Sequence, residues 1–100
     1  WMGYRVMKME MKQKTKYRIY DMSTGMYQDE GYDKMLFSCE PKWSRRGKTW
    51  SKLDELKEHL KILEEARIIV SPLWEVVESD AAVGTEVRYS AVVLSSKKKS

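Results

Sequence analysis

Ser51-Lys52-Leu53-Asp54-Glu55-Leu56-Lys57-Glu58-His59-Leu60-Lys61-Ile62-Leu63-Glu64-Glu65-Ala66-Arg67 is the stretch that decides the architecture of this 100-residue chain. Leu53, Leu56, Leu60 and Leu63 recur at spacings of 3, 4 and 3, which puts them on one stripe of an α-helix. Acidic and basic side chains fill most of the other positions, as befits a face turned to water. Ser51 is the expected N-cap, and Asp54 completes an approximate capping box. Lys61 can pair with Glu64 or Glu65, and His59 with Glu55, across one turn of the exposed side. The pattern predicts one amphipathic helix over about residues 51–66, ending near Arg67.

Outward from the helix the period changes. Tyr17-Arg18-Ile19-Tyr20 is aromatic and β-branched and predicts a strand. Asp21-Met22-Ser23-Thr24-Gly25 predicts a turn with Gly25 at positive φ, after which Met26-Tyr27 resumes the sheet. Residues 28–33 are polar around Gly31 and read as a loop; residues 34–38, carrying Met35, Leu36 and Phe37, read as a third strand. Residues 4–12 alternate, with Met7, Met9 and Met11 opposite Lys8, Glu10 and Lys12, and predict a strand with one buried face before a polar turn at 13–16. Beyond the helix, Pro72 cuts a short apolar run and Trp74-Glu75-Val76-Val77-Glu78 predicts a strand. A loop at 79–85 leads to a final strand at 86–94, with Val87, Tyr89, Ala91 and Val93 on one face. Strands on both sides of a single helix predict an α+β fold, a small antiparallel sheet with the helix packed on one face. The length fits one domain, 1–96, with residues 1–15 as an N-terminal extension and 97–100 as a basic tail.

The segment before the helix is the main internal cluster of positive charge. Lys42, Arg45, Arg46 and Lys48 lie between or beside Trp43 and Trp50, with Arg46-Gly47 as the centre of a tight turn. Indole rings and cations in this arrangement can stack bases and neutralise phosphates. They can also clamp a small anion beside the helix N-terminus. The alternative is that Trp43 and Trp50 anchor the loop to the core and leave Arg45, Arg46 and Lys48 as its exposed part. The net charge of +4 adds little, since Lys97, Lys98 and Lys99 supply three of those charges.

Hydrophobic residues make up 42% of the chain, enough to set it apart from disordered sequences. Cys39 is the single cysteine and His59 the single histidine, so no internal disulfide and no Cys/His zinc set can form. Neither residue has a partner marked by a catalytic motif, and the acids of the helix read as a solvated face. No phosphate loop or dinucleotide fingerprint is present, and no apolar run reaches membrane-spanning length. The expectation is a protein without catalytic site, cofactor, metal or membrane contact. Met7, Met9 and Met11 could make a sticky strand that pairs with a second copy.

Trp43-Ser44-Arg45-Arg46-Gly47-Lys48-Thr49-Trp50, followed by Leu53, Leu56-Lys57 and His59-Leu60, and then by Trp74-Glu75-Val76, resembles a loose group of small, uncharacterised bacteriophage proteins. These carry a Trp-Ser/Thr-x-x-Gly-Lys-x-Trp element before a Leu/Lys/His helix and close on a Trp-Glu-Val strand. The likeness covers roughly residues 17–78. Residues 1–15 and the last strand depart from it, and Met11 is the expected native start. The resemblance implies action in the cytoplasm of an infected bacterium, on a host protein or nucleic acid, by binding rather than catalysis, for instance against host defence. Sequestration of a nucleotide-like immune signal and a purely self-associating structural role are the alternatives.

Overall fold

The turn at residues 21–25 closes a hairpin through its own side chains. Asp21 Oδ1 accepts from the Ser23 backbone N–H at 2.9 Å and from its hydroxyl at 2.7 Å. The Gly25 N–H donates to the Asp21 carbonyl at 2.8 Å, with Gly25 at φ 76°. This turn joins β1 (Thr15–Asp21) to β2 (Met26–Lys34) in the computed structural model, which describes residues 15–81 and 83–95. The Met7/Met9/Met11 strand and the Lys97–Lys99 tail lie outside the described residues. β3 (Cys39–Ser44), α1 (Leu53–Glu65), β4 (Trp74–Asp80), β5 (Thr85–Ser90) and the short α2 (Ala91–Ser95) follow.

The five strands form one antiparallel sheet in the order β3-β2-β1-β4-β5. The long β1–β4 ladder, Thr15↔Asp80 to Asp21↔Trp74, makes its centre. Alternation along that ladder puts Ile19 and Val76 on one face, where α1 covers them with Leu56, Leu60 and Leu63; all five are completely buried. Each such aliphatic side chain contributes about 1.5–3 kcal/mol by leaving water. Trp50, Trp74, Ile68, Val70 and Ala91 complete this core. The fold is α+β, with the helix on one sheet face.

Five local readings change, the first being the loop at 79–85, in which Ser79 and Asp80 are strand residues of β4 and Thr85 of β5. Residues 28–33 belong to β2, not to a loop, because their backbone pairs with β3 around an irregularity between Gln28 and Tyr32, where Gly31 takes φ 84°. Of residues 34–38, Lys34 ends β2 and 35–38 are a reversal rather than a strand, closed by Met35 N–H to the Ser38 carbonyl at 2.7 Å. The final strand stops at Ser90, whose hydroxyl accepts the Val92 N–H at 3.2 Å and starts α2, so Ala91 is buried as a helical residue. Thr15 and Lys16, placed in a turn by their polarity, are strand residues paired with Asp80 and Ser79.

At its start α1 lacks the expected capping box. Lys52, extended at φ −128° and ψ 140°, is the N-cap and makes no side-chain cap; Asp54 and Glu55 instead face the positive end of the helix dipole. Its end is tightly closed. Ile68 N–H reaches the Leu63 carbonyl and Arg67 N–H the Glu64 carbonyl, both at 2.9 Å, with Arg67 at φ 68°. This is the double hydrogen bond of a Schellman stop, with Arg67 in the left-handed position glycine usually fills.

Candidate binding surfaces

The segment 42–50 is built into the sheet rather than looped away from it. β2 separates from β1 after the two pairs Tyr20↔Tyr27 and Asp21↔Met26. Residues 48–50 fill the gap: Lys48 N–H donates to the Gln28 carbonyl at 3.0 Å, and Trp50 exchanges two 2.9 Å backbone hydrogen bonds with Tyr17. The turn before them is closed by Ser44 Oγ, which accepts the Gly47 N–H at 2.8 Å and donates to Asp29 at 3.0 Å. Gly47, at φ 73°, lies directly on Tyr27; a Cβ there would overlap the Tyr27 Cβ and stand 3.2 Å from the Gln28 carbonyl oxygen.

The six candidate residues therefore part company. Trp43 is half-buried on the helix face with its ring edge-on to Trp74 at 5.4 Å. Trp50 is buried and lies 4.9 Å from the His59 ring. Lys42 pairs with Asp33 at 3.9 Å and Lys48 with Glu30 at 3.5 Å. Arg45 and Arg46 are exposed at the turn. Trp43, Ser44, Gly47, Lys48 and Trp50 each carry a structural contact, which accounts for their spacing without any ligand.

His59 is not on the helix surface beside Glu55. It is 6% exposed, inside the apolar stripe, and its Nε2–H donates to Gln28 Oε1 at 2.6 Å. Burial pulls its pKa down to about 4 against an opposing pull from Glu30 and with a further push from Lys48, so the ring is neutral at pH 7. The Gln28 side chain is fully buried and its Nε2 has no hydrogen-bond partner. A groove of about 510 Å³ opens beside this pair, lined by Trp50, Ile62, Lys48 and the carboxylates of Glu30, Glu55 and Glu58. Its rim is more acidic than basic, the reverse of what the composition of residues 42–50 predicts. Among the described residues no group of three or more His, Cys, Asp or Glu side chains could hold a metal, and no helix is long and apolar enough to cross a membrane.

Two surfaces escape sequence reasoning. The first is the β2–β3 hairpin tip, where Leu36 is 86% and Phe37 93% exposed and Met35 is also exposed. A shallow cleft of about 410 Å³ runs beside it, lined by Ala66 and Arg67 from the end of α1. An apolar triplet with no period reads equally as a buried strand, so only its place at the reversal reveals it. The second is the sheet face opposite α1. Arg18 lies 4.0 Å over the Tyr27 ring, Arg88 5.1 Å over Tyr20, and the two tyrosines are 5.1 Å apart. Val77, completely buried, sits in register between Arg18 and Arg88.

Comparison of the chain with protein-family models, with curated proteins and with solved structures finds no match.

Proposed function

We propose that this chain is a non-catalytic binding protein whose partner is another protein, engaged by the tip of the β2–β3 hairpin. The carrying observation is the exposure of Leu36 and Phe37 side by side at that tip, at 86% and 93%. Scattered exposed hydrophobes are ordinary, but two large ones adjacent at the end of a hairpin form a plug for a concave apolar site. Covering each contributes about 1.5–3 kcal/mol to association. The likeness to small bacteriophage proteins supplies the setting: a target in the cytoplasm of an infected bacterium, such as a component of host defence.

Arg45 and Arg46 favour a second reading, contact with nucleic acid, because they are the exposed cations of the turn while Lys42 and Lys48 are held by Asp33 and Glu30. Sequestration of a nucleotide-like signal draws less support, since carboxylates crowd the groove beside the segment. Affinity capture from nuclease-treated host lysate separates these readings. A specific partner retained by wild type and by Arg45→Ala/Arg46→Ala, but lost in Leu36→Ser/Phe37→Ser, is the expected result. Capture that needs intact nucleic acid and both arginines would replace the first reading with the second.

A further inference from the structure

The two edges of the sheet are guarded unequally. β3 carries Pro41 in its middle and Lys42 beside it, and its pairing with β2 is irregular. These are the devices that keep an edge strand from pairing with another chain. β5, Thr85-Glu86-Val87-Arg88-Tyr89-Ser90, has no proline and no irregularity in its pairing with β4. Among the described residues no strand lies on its outer side. Thr85 to Arg88 are exposed, and Val87 stands 51% open on the face that carries α1.

We propose that β5 pairs antiparallel with β5 of a second copy of this chain, about a two-fold axis through Val87. Symmetry and charge select this register. A two-fold axis normal to the sheet keeps both helices on one face and requires a residue to oppose its own copy. With Val87 on the axis, Glu86 opposes Arg88 of the second copy and Arg88 opposes Glu86, while Thr85 meets Tyr89. A shift that puts Glu86 on the axis sets Glu86 against Glu86, and one that puts Arg88 there sets Arg88 against Arg88; both are disfavoured. Shifts of odd parity turn the two helices to opposite faces. The pairing joins two five-stranded sheets into one, covers the exposed Val87 and leaves the hairpin tip of each copy free. It uses a surface separate from the hairpin proposed to hold a partner.

Charge swaps test it on the full chain by light scattering coupled to size exclusion over a concentration series. Wild type is expected at twice the 11.9 kDa chain mass. Glu86→Arg alone sets positive charge against positive charge at both symmetry-related pairs, and Arg88→Glu alone sets negative against negative. Each variant is therefore expected to fall to the single-chain mass. Their equimolar mixture restores both opposite-charge pairs and is expected to return to the doubled mass as a heterodimer. Glu86→Arg alters only an exposed ion pair, so its circular dichroism melt should stay close to wild type, whereas Arg88→Glu also removes the cation over Tyr20 and is expected to melt somewhat lower while remaining folded. Amide hydrogen exchange of wild type supplies a second measurement, with protection at residues 85–90 lost on dilution. A wild type of single-chain mass would overturn the proposal. So would single variants that remain dimeric, a mixture that fails to associate, or exchange at β5 that ignores concentration.

Discussion

His59 Nε2–H donates to Gln28 Oε1 across 2.6 Å, linking the middle of α1 to β2 inside an otherwise apolar seam. The bond explains why a polar residue can occupy a stripe position among Leu56, Leu60 and Leu63: its donor is satisfied there. The link also makes the fold sensitive to acid. In the unfolded chain the imidazole titrates near 6.5, whereas burial holds it at about 4 in the folded protein. Between those values the unfolded state takes up a proton that the folded state refuses. The stability contributed is complete above pH 6.5 and declines as pH falls toward 4, by about 3 kcal/mol in all. Urea unfolding at a series of pH values should show this slope. His59→Gln, which keeps a donor for Gln28 but cannot titrate, should flatten it. An equal slope in both proteins would assign the acid sensitivity elsewhere.

Gly47 rests on Tyr27 at φ 73°. Gly47→Ala adds a Cβ that meets backbone as well as side chain and forces a left-handed alanine. The expected loss is about 2–4 kcal/mol, from strain and overpacking together. Thermal unfolding measures it, and an unchanged midpoint would mean that residues 48–50 are not stitched between β1 and β2.

Arg67 occupies the left-handed stop of α1 at φ 68° and is exposed. Arg67→Gly relieves the steric cost of its Cβ without removing a buried contact. Stability should rise by about 1 kcal/mol, read as a higher urea midpoint at constant slope. A destabilised Arg67→Gly would show that the arginine side chain makes a contact worth more than the strain.

The hairpin tip and the helix stripe hold the same residue types with opposite roles. Leu60→Ala, in the core, should cost about 2–5 kcal/mol. Leu36→Ser/Phe37→Ser, at the tip, should change stability by no more than about 0.5 kcal/mol per site. Comparing the two unfolding curves checks this. A large loss in the tip variant would make the tip part of the folding core and remove the main support for a docking role.

Pattern was enough wherever burial is one-sided. The leucine stripe of α1 buries one face and leaves the other in water, so its period is visible along the chain; the strands at Tyr17–Tyr20 and Trp74–Glu78 show instead in their aromatic and β-branched residues, since Val77 is buried on the far face as well. β2 is different. Its outer part, including Gly31, Tyr32 and Asp33, has little apolar surface covering it and is held as a strand by backbone pairing to β3. Backbone hydrogen bonds leave no periodic trace in side-chain identity, and the polar run looked like a loop. The burial of His59 is hidden for a related reason: it follows from how α1 seats on the sheet, against Gln28 of β2.

The sequence by itself determined the α+β class with one main helix, the inward face of α1 and the concentration of cations at residues 42–48, because composition and period are local properties. Tertiary structure alone decided where those cations are spent. By drawing Lys48 and Trp50 into the gap between β1 and β2 it tied Lys48 to Glu30, buried Trp50 against His59 and left Arg45 and Arg46 outside. It also decided that Leu36 and Phe37 end a hairpin instead of filling a core. The partners in each case are distant along the chain, and only the strand pairing brings them together.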